Sequence, residues 1–101
     1  MINEEIKSLI QRRRLQLLVH SSIYYAYNAS VVTDEQWKNW ALELERLQAD
    51  YPNEAAAAPY AEDFQGFDHS TGYDLPFAYP EISAKARWLM KQYQLRNERK
   101  E

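Results

Sequence analysis

Five aromatic rings, Tyr24, Tyr25, Tyr27, Trp37 and Trp40, flank a single helix start in the segment SSIYYAYNASVVTDEQWKNW, residues 21–40. Such rings offer a large contact area with a polar tip, so they serve equally as core filling and as a stacking platform for a flat ligand. Between them stands Thr33-Asp34, and Gln36 completes the spacing of a capping box. Asp34 falls in a first helical turn, where a negative charge suits the macrodipole and requires no function to explain it. Helical spacing assigns Trp40 to the core. Tyr24 and Trp37 are left divided between core and pocket.

Other chemistry is sparse. The chain has no cysteine, which removes thiolate metal sites, thiol nucleophiles and disulfides. His20 and His69 lie in different segments with no partner histidine at ligand spacing, so no zinc site is expected. Asp68, His69 and Ser70 are adjacent in FDHSTGYD, whereas a catalytic triad brings its members together from separate places; a turn held by Asp and Ser side chains is the expectation. Arg12, Arg13 and Arg14 point about 100° apart on a helix, share no face, and read as solvated surface.

The elements that must position these residues follow from caps and periodicity. Asn3 is an N-cap, Glu4 and Glu5 occupy the first turn, and Ile6, Leu9, Ile10, Leu17 and Tyr24 recur at helical steps, predicting a long helix ending near Asn28. A second helix runs from the Thr33 cap through Trp37, Trp40, Ala41, Leu44, Leu47 and Tyr51, and stops at Pro52. The short connector makes the two an antiparallel hairpin, residues 3–52. Residues 53–80 lose periodicity and read as an ordered loop, with a helical turn or two after Pro59. Its Phe64, Phe67, Tyr73, Phe77 and Tyr79 are expected to wrap the hairpin. A C-terminal helix over 81–97 carries Ile82, Ala86, Leu89 and Tyr93 on one stripe, and Lys91, Arg96, Arg99 and Lys100 toward its end.

With 101 residues the chain is expected to be a single all-α domain, since two Gly and four Pro leave little punctuation for many β turns. The net charge of −3 supplies no field to gather nucleic acid, and the N-terminal segment lacks the apolar core of a leader. A cytoplasmic protein that does not enter the membrane is expected.

The segment HSSIYYAYNASVVTDEQWKNWALELERLQADYP resembles the first, helical-hairpin domain of the NAD-dependent bacterial DNA ligases. The similarity runs from about Leu9 to Pro52, and the spacing from His20 to Pro52 fits without a gap. The resemblance implies a fold that closes over the nicotinamide mononucleotide half of NAD, with rings against the nicotinamide and carboxylates on the ribose and phosphate side. It puts Tyr24 at the ring-stacking position and Tyr25 where the family has His. Asp34 falls at the helix-start acid, Trp37 at a second Tyr, and Lys38 where the family has a second Asp. That last change reverses a charge, although a lysine can still meet a phosphate as a point charge. The family's Lys-x-Asp-Gly adenylation motif is missing, since Gly66 follows Gln65 and Gly72 follows Thr71. The C-terminal STGYDLPFAYPEISAKARWLM is similar to the tail of small stand-alone ligase-related proteins encoded by bacteriophages.

These readings lead to two expectations. The first is a non-catalytic binding module that uses the hairpin to dock on a protein, and the phage resemblance implies a DNA-metabolism or defence protein of the host cytoplasm. The second is a nicotinamide mononucleotide or NAD binding protein, or one subunit of a split DNA ligase, with Tyr24, Tyr25, Asp34, Trp37 and Lys38 as its site. Neither is an enzyme by itself.

Overall fold

The structure is a computed structural model that describes residues 1–69, 75–76 and 78–99, with side chains to Gln94. Ser70, Gly72, Tyr73, Phe77 and Lys100 lie outside the described residues, as do the side chains of Arg96 and Arg99. Four helices follow in order: α1 (Glu4–Tyr27), α2 (Asp34–Asp50), α3 (Pro52–Ala57) and α4 (Pro80–Arg99). The described residues contain no strand, and the fold is all-α. None of their helices is long and apolar enough to cross a membrane.

The caps form as their residue types dictate. Asn3 Oδ1 accepts from the backbone N–H groups of Glu5 and Ile6 at 3.1 and 3.2 Å, satisfying two orphan donors of α1. Asn28 closes α1 in the left-handed conformation at φ 52°, a region Asn tolerates better than most residues. Thr33 Oγ1 accepts from Gln36 N at 3.0 Å and starts α2.

Partners on α2 fall in number as those on α1 rise: Arg14 meets Gln48, His20 meets Trp40, and Tyr24 shares a cleft with Trp37. The two helices are therefore antiparallel. Helix α1 also packs against α3 and α4, so it is covered from more than one side. Burial of Leu17, Leu18 and Val19 in succession follows from that placement. Ala41 and Leu44 supply the buried stripe of α2, and Ile82 and Ala86 that of α4.

Two expectations are corrected here. Arg14 is not solvated surface but is buried, at 1% exposure, and is the largest fully buried side chain described. Its Nη1 donates to the carbonyls of Ala58 (3.1 Å) and Pro59 (2.9 Å). Its Nη2 donates to the Ala55 carbonyl (2.9 Å) and shares Gln48 Oε1 with Nε. The planar guanidinium can reach four acceptors at once, and this compensates a charge whose pKa burial lowers. The second correction concerns residues 53–57, which are helical and not loop. Pro52 stops α2 and begins α3, because a proline at the first helical position gives up an N–H that has no intrahelical partner.

Beyond α3 the chain makes hydrogen-bonded turns over 59–66, closed by Phe64 N to Tyr60 O at 3.2 Å. These turns insert Phe64 into the core, edge-on to Phe67 and below the Arg14 guanidinium. Tyr60 donates its hydroxyl to Glu81 at 2.8 Å, and Tyr79 donates to Asp63, which fastens the turn to the start of α4. Burial and the neighbouring carboxylate push the Tyr60 phenol up to about 12.

Candidate functional site

The connector between α1 and α2 shapes a cleft at the turn of the hairpin. Ala29 N–H returns to the Ile23 carbonyl at 3.1 Å, and Ser30 Oγ donates to the Val32 carbonyl at 2.6 Å, so six residues reverse the chain with their polar groups engaged locally. Half-buried Val31 and Val32 form the cleft's wall between the helices. Helix α1 contributes His20, Ser21, Tyr24 and Tyr25, and α2 contributes Asp34 and Trp37 behind the Thr33 cap. The cleft is open to solvent on one side, and its volume is about 240 Å³. Pockets that take a whole drug-sized ligand run from roughly 300 to 1,000 Å³, so this cleft suits one ring with its sugar better than a complete dinucleotide.

Four of the five residues named from the sequence meet here: Tyr24, Tyr25, Asp34 and Trp37. Tyr24 and Tyr25 stand edge to face, with centroids 4.9 Å apart at 82°. Tyr24 remains 56% exposed and Tyr25 41%, whereas Trp37 is half-buried against the core. Rings this accessible can still receive a ligand. Lys38 is exposed on α2 and does not line the cleft. Trp40 likewise faces elsewhere, with its indole 5.3 Å from the His20 ring.

The back of the cleft holds polar groups left without partners. Ser21 is 1% exposed, and its Oγ has no hydrogen bond among the described residues; the same holds for His20 Nδ1. A buried hydroxyl normally finds an acceptor, in a helix most often the carbonyl four residues back; Ser21 Oγ and Ser22 Oγ are both left without one among the described residues, and solvent reaches neither oxygen. Burial lowers the His20 pKa, so the ring is neutral at pH 7 and presents one donor and one acceptor nitrogen. Asp34 is exposed, with no cation bonded to it among the described residues, and its carboxylate is the only formal charge among the lining side chains at that pH.

The remaining sequence candidates lie apart from this cleft. Tyr27 Oη accepts from Arg87 Nη1 at 3.2 Å. His69 Nδ1 lies 3.1 Å from Glu45 Oε2 on α2, which ties the loop to the hairpin. Among the described residues no three His, Asp or Glu groups are placed to hold a metal ion.

His20, raised from the sequence only as a metal-ligand candidate without a partner, and Ser21, not singled out there, both line the cleft. They precede Tyr24 by four and three residues, which puts them one turn back along the same side of α1. Comparison with known proteins adds no relative: no protein-family model, no curated protein and no solved structure matches this chain.

Proposed function

We propose that the protein is a non-catalytic binding module whose hairpin-turn cleft receives the nicotinamide-ribose part of a nicotinamide nucleotide. One observation carries the reading: Tyr24, Tyr25 and Trp37 gather beside the Asp34 carboxylate. An oxidised nicotinamide ring is a flat cation. Aromatic faces attract such a cation through their quadrupole, and a carboxylate without a cation of its own adds to that attraction or binds ribose hydroxyls. The phosphate is left toward solvent, because the lining side chains carry no cation. The hairpin resemblance to the NAD-dependent ligases points to the same ligand.

Titration calorimetry with nicotinamide mononucleotide tests this. About 22 non-hydrogen atoms at roughly 0.3 kcal/mol each set a limit near 10 μM, and an open cleft places the Kd between about 10 and 100 μM. Asp34→Ala should remove most of the heat. The oxidised nucleoside, lacking phosphate, should bind as well as the nucleotide, and the reduced, uncharged nicotinamide should bind less well. Silence at millimolar ligand would instead favour the second reading, in which the exposed Tyr24 and Tyr25 rings anchor a protein partner.

A further inference from the structure

A second concavity runs between α1 and α4 and meets the hairpin-turn cleft at His20, with a volume of about 690 Å³. Its floor is apolar, formed by half-buried Leu15 and Leu89 over the buried Val19 and Ile82, and its rim carries Arg12, Lys85 and Glu81. The stretch of α1 that lines it, Ser8 to His20, is about 18 Å long at 1.5 Å per residue, or some three helical turns.

The charged side chains that line the groove are two cations, Arg12 and Lys85, and one acid, Glu81, a net of +1. Arg12 is exposed and has no ion pair among the described residues. Lys85 has no carboxylate partner there either, and its Nζ lies 4.7 Å from the ring centroid of Trp88, an indole left 53% exposed. The acid on the same rim, Glu81, already accepts the Tyr60 hydroxyl. An apolar trough three turns long, bordered by two cations without carboxylate partners among the described residues, complements a helix with an apolar stripe and acidic flanks.

We infer that the α1–α4 groove is a docking site for an acidic amphipathic helix of a protein partner. Leucine-type side chains at i, i+4, i+7 and i+11 fill the trough between Leu15, Val19, Ile82 and Leu89, and glutamates on their flanks meet Arg12 and Lys85. The groove and the hairpin-turn cleft share His20 as a lining residue and are otherwise built from different side chains.

The test uses the full chain and a fluorescein-labelled synthetic helix of about 18 residues with that leucine spacing and glutamate flanks, read by anisotropy. A second peptide carries lysine in place of each glutamate. The acidic peptide should bind in the micromolar range and the basic one should not. Raising salt from about 50 to about 300 mM should weaken binding several-fold. R12E/K85E should weaken it at least about tenfold, whereas R46E, on exposed α2, should leave it unchanged. R12Q/K85Q should give a smaller loss in the same direction, so that the inference stands or falls even where charge reversal harms folding. Equal binding of both peptides, or indifference to the Arg12 and Lys85 variants, would overturn it. So would displacement of the peptide by decanoate, which marks a lipid site, or self-association of the chain that R12E/K85E abolishes.

Discussion

Arg14 and Gln48 hold the hairpin together across its middle: Gln48 Oε1 accepts from both Nε and Nη2 of Arg14, at 3.0 and 2.9 Å. Gln48 passes the connection on by donating to the Phe64 carbonyl at 3.2 Å, and Arg14 itself reaches the carbonyls at 55, 58 and 59. One buried fork thus joins α1, α2, α3 and the following turn.

Removing that fork leaves buried carbonyls without donors. Arg14→Met, close in length and apolar, should therefore cost about 3 kcal/mol in urea unfolding, a large share of the stability of a domain this size. Arg14→Lys should fall between, since an ammonium cannot match the fork's geometry. A change within about 0.5 kcal/mol for Arg14→Met would show the network to be incidental.

The two N-caps make separable contributions. Asn3→Ala and Thr33→Ala should each lower stability by about 1 kcal/mol, and the effects should add, because the caps sit at opposite ends of the hairpin. Thr33→Ala alone should also weaken nucleotide binding, through its place in the cleft wall.

Acid should reach the fold through His20. Its native pKa lies below the ordinary value of 6.5 because the ring is buried, so the unfolded chain takes up the proton first as pH falls. The stability that goes with neutral His20 is complete above about pH 6.5 and is lost as pH drops through the lowered native value. Wild-type stability should therefore fall more steeply than that of His20→Asn between about pH 7 and pH 5, with His69 common to both. Parallel curves would contradict this account.

How far the sequence revealed all this varied with the range of the interaction. Caps and stripes are local, so Asn3, Thr33 and the Ala41–Leu44 face were legible, and with them the all-α hairpin. The acceptors that bury Arg14 come from 34 to 45 residues away, which no window along the chain displays. A clue existed nonetheless: Arg14 stands four residues after Ile10 and three before Leu17, on the apolar stripe itself. Pro52 was legible as a stop and equally as a start, and Glu54 with the alanine run behind it favoured the start. At the cleft, rings and Asp34 drew notice by type. Ser21 did not, because a serine becomes informative only once its hydroxyl is known to be buried without a partner. Lys38 marks the converse limit: the ligase resemblance put it in the site, whereas helical spacing sets it off the Trp37, Trp40, Ala41 and Leu44 stripe, and it is exposed outside the cleft.

Backbone amide NMR during titration with nicotinamide mononucleotide tests the central claim most directly, because it reports where the ligand sits as well as whether it binds. Shifts should gather at Ser21, Tyr24, Tyr25, Thr33, Asp34 and Trp37, saturate at submillimolar ligand, and vanish in Asp34→Ala. An unchanged spectrum at about 10 mM ligand, or shifts confined to the α1–α4 groove, would contradict the account.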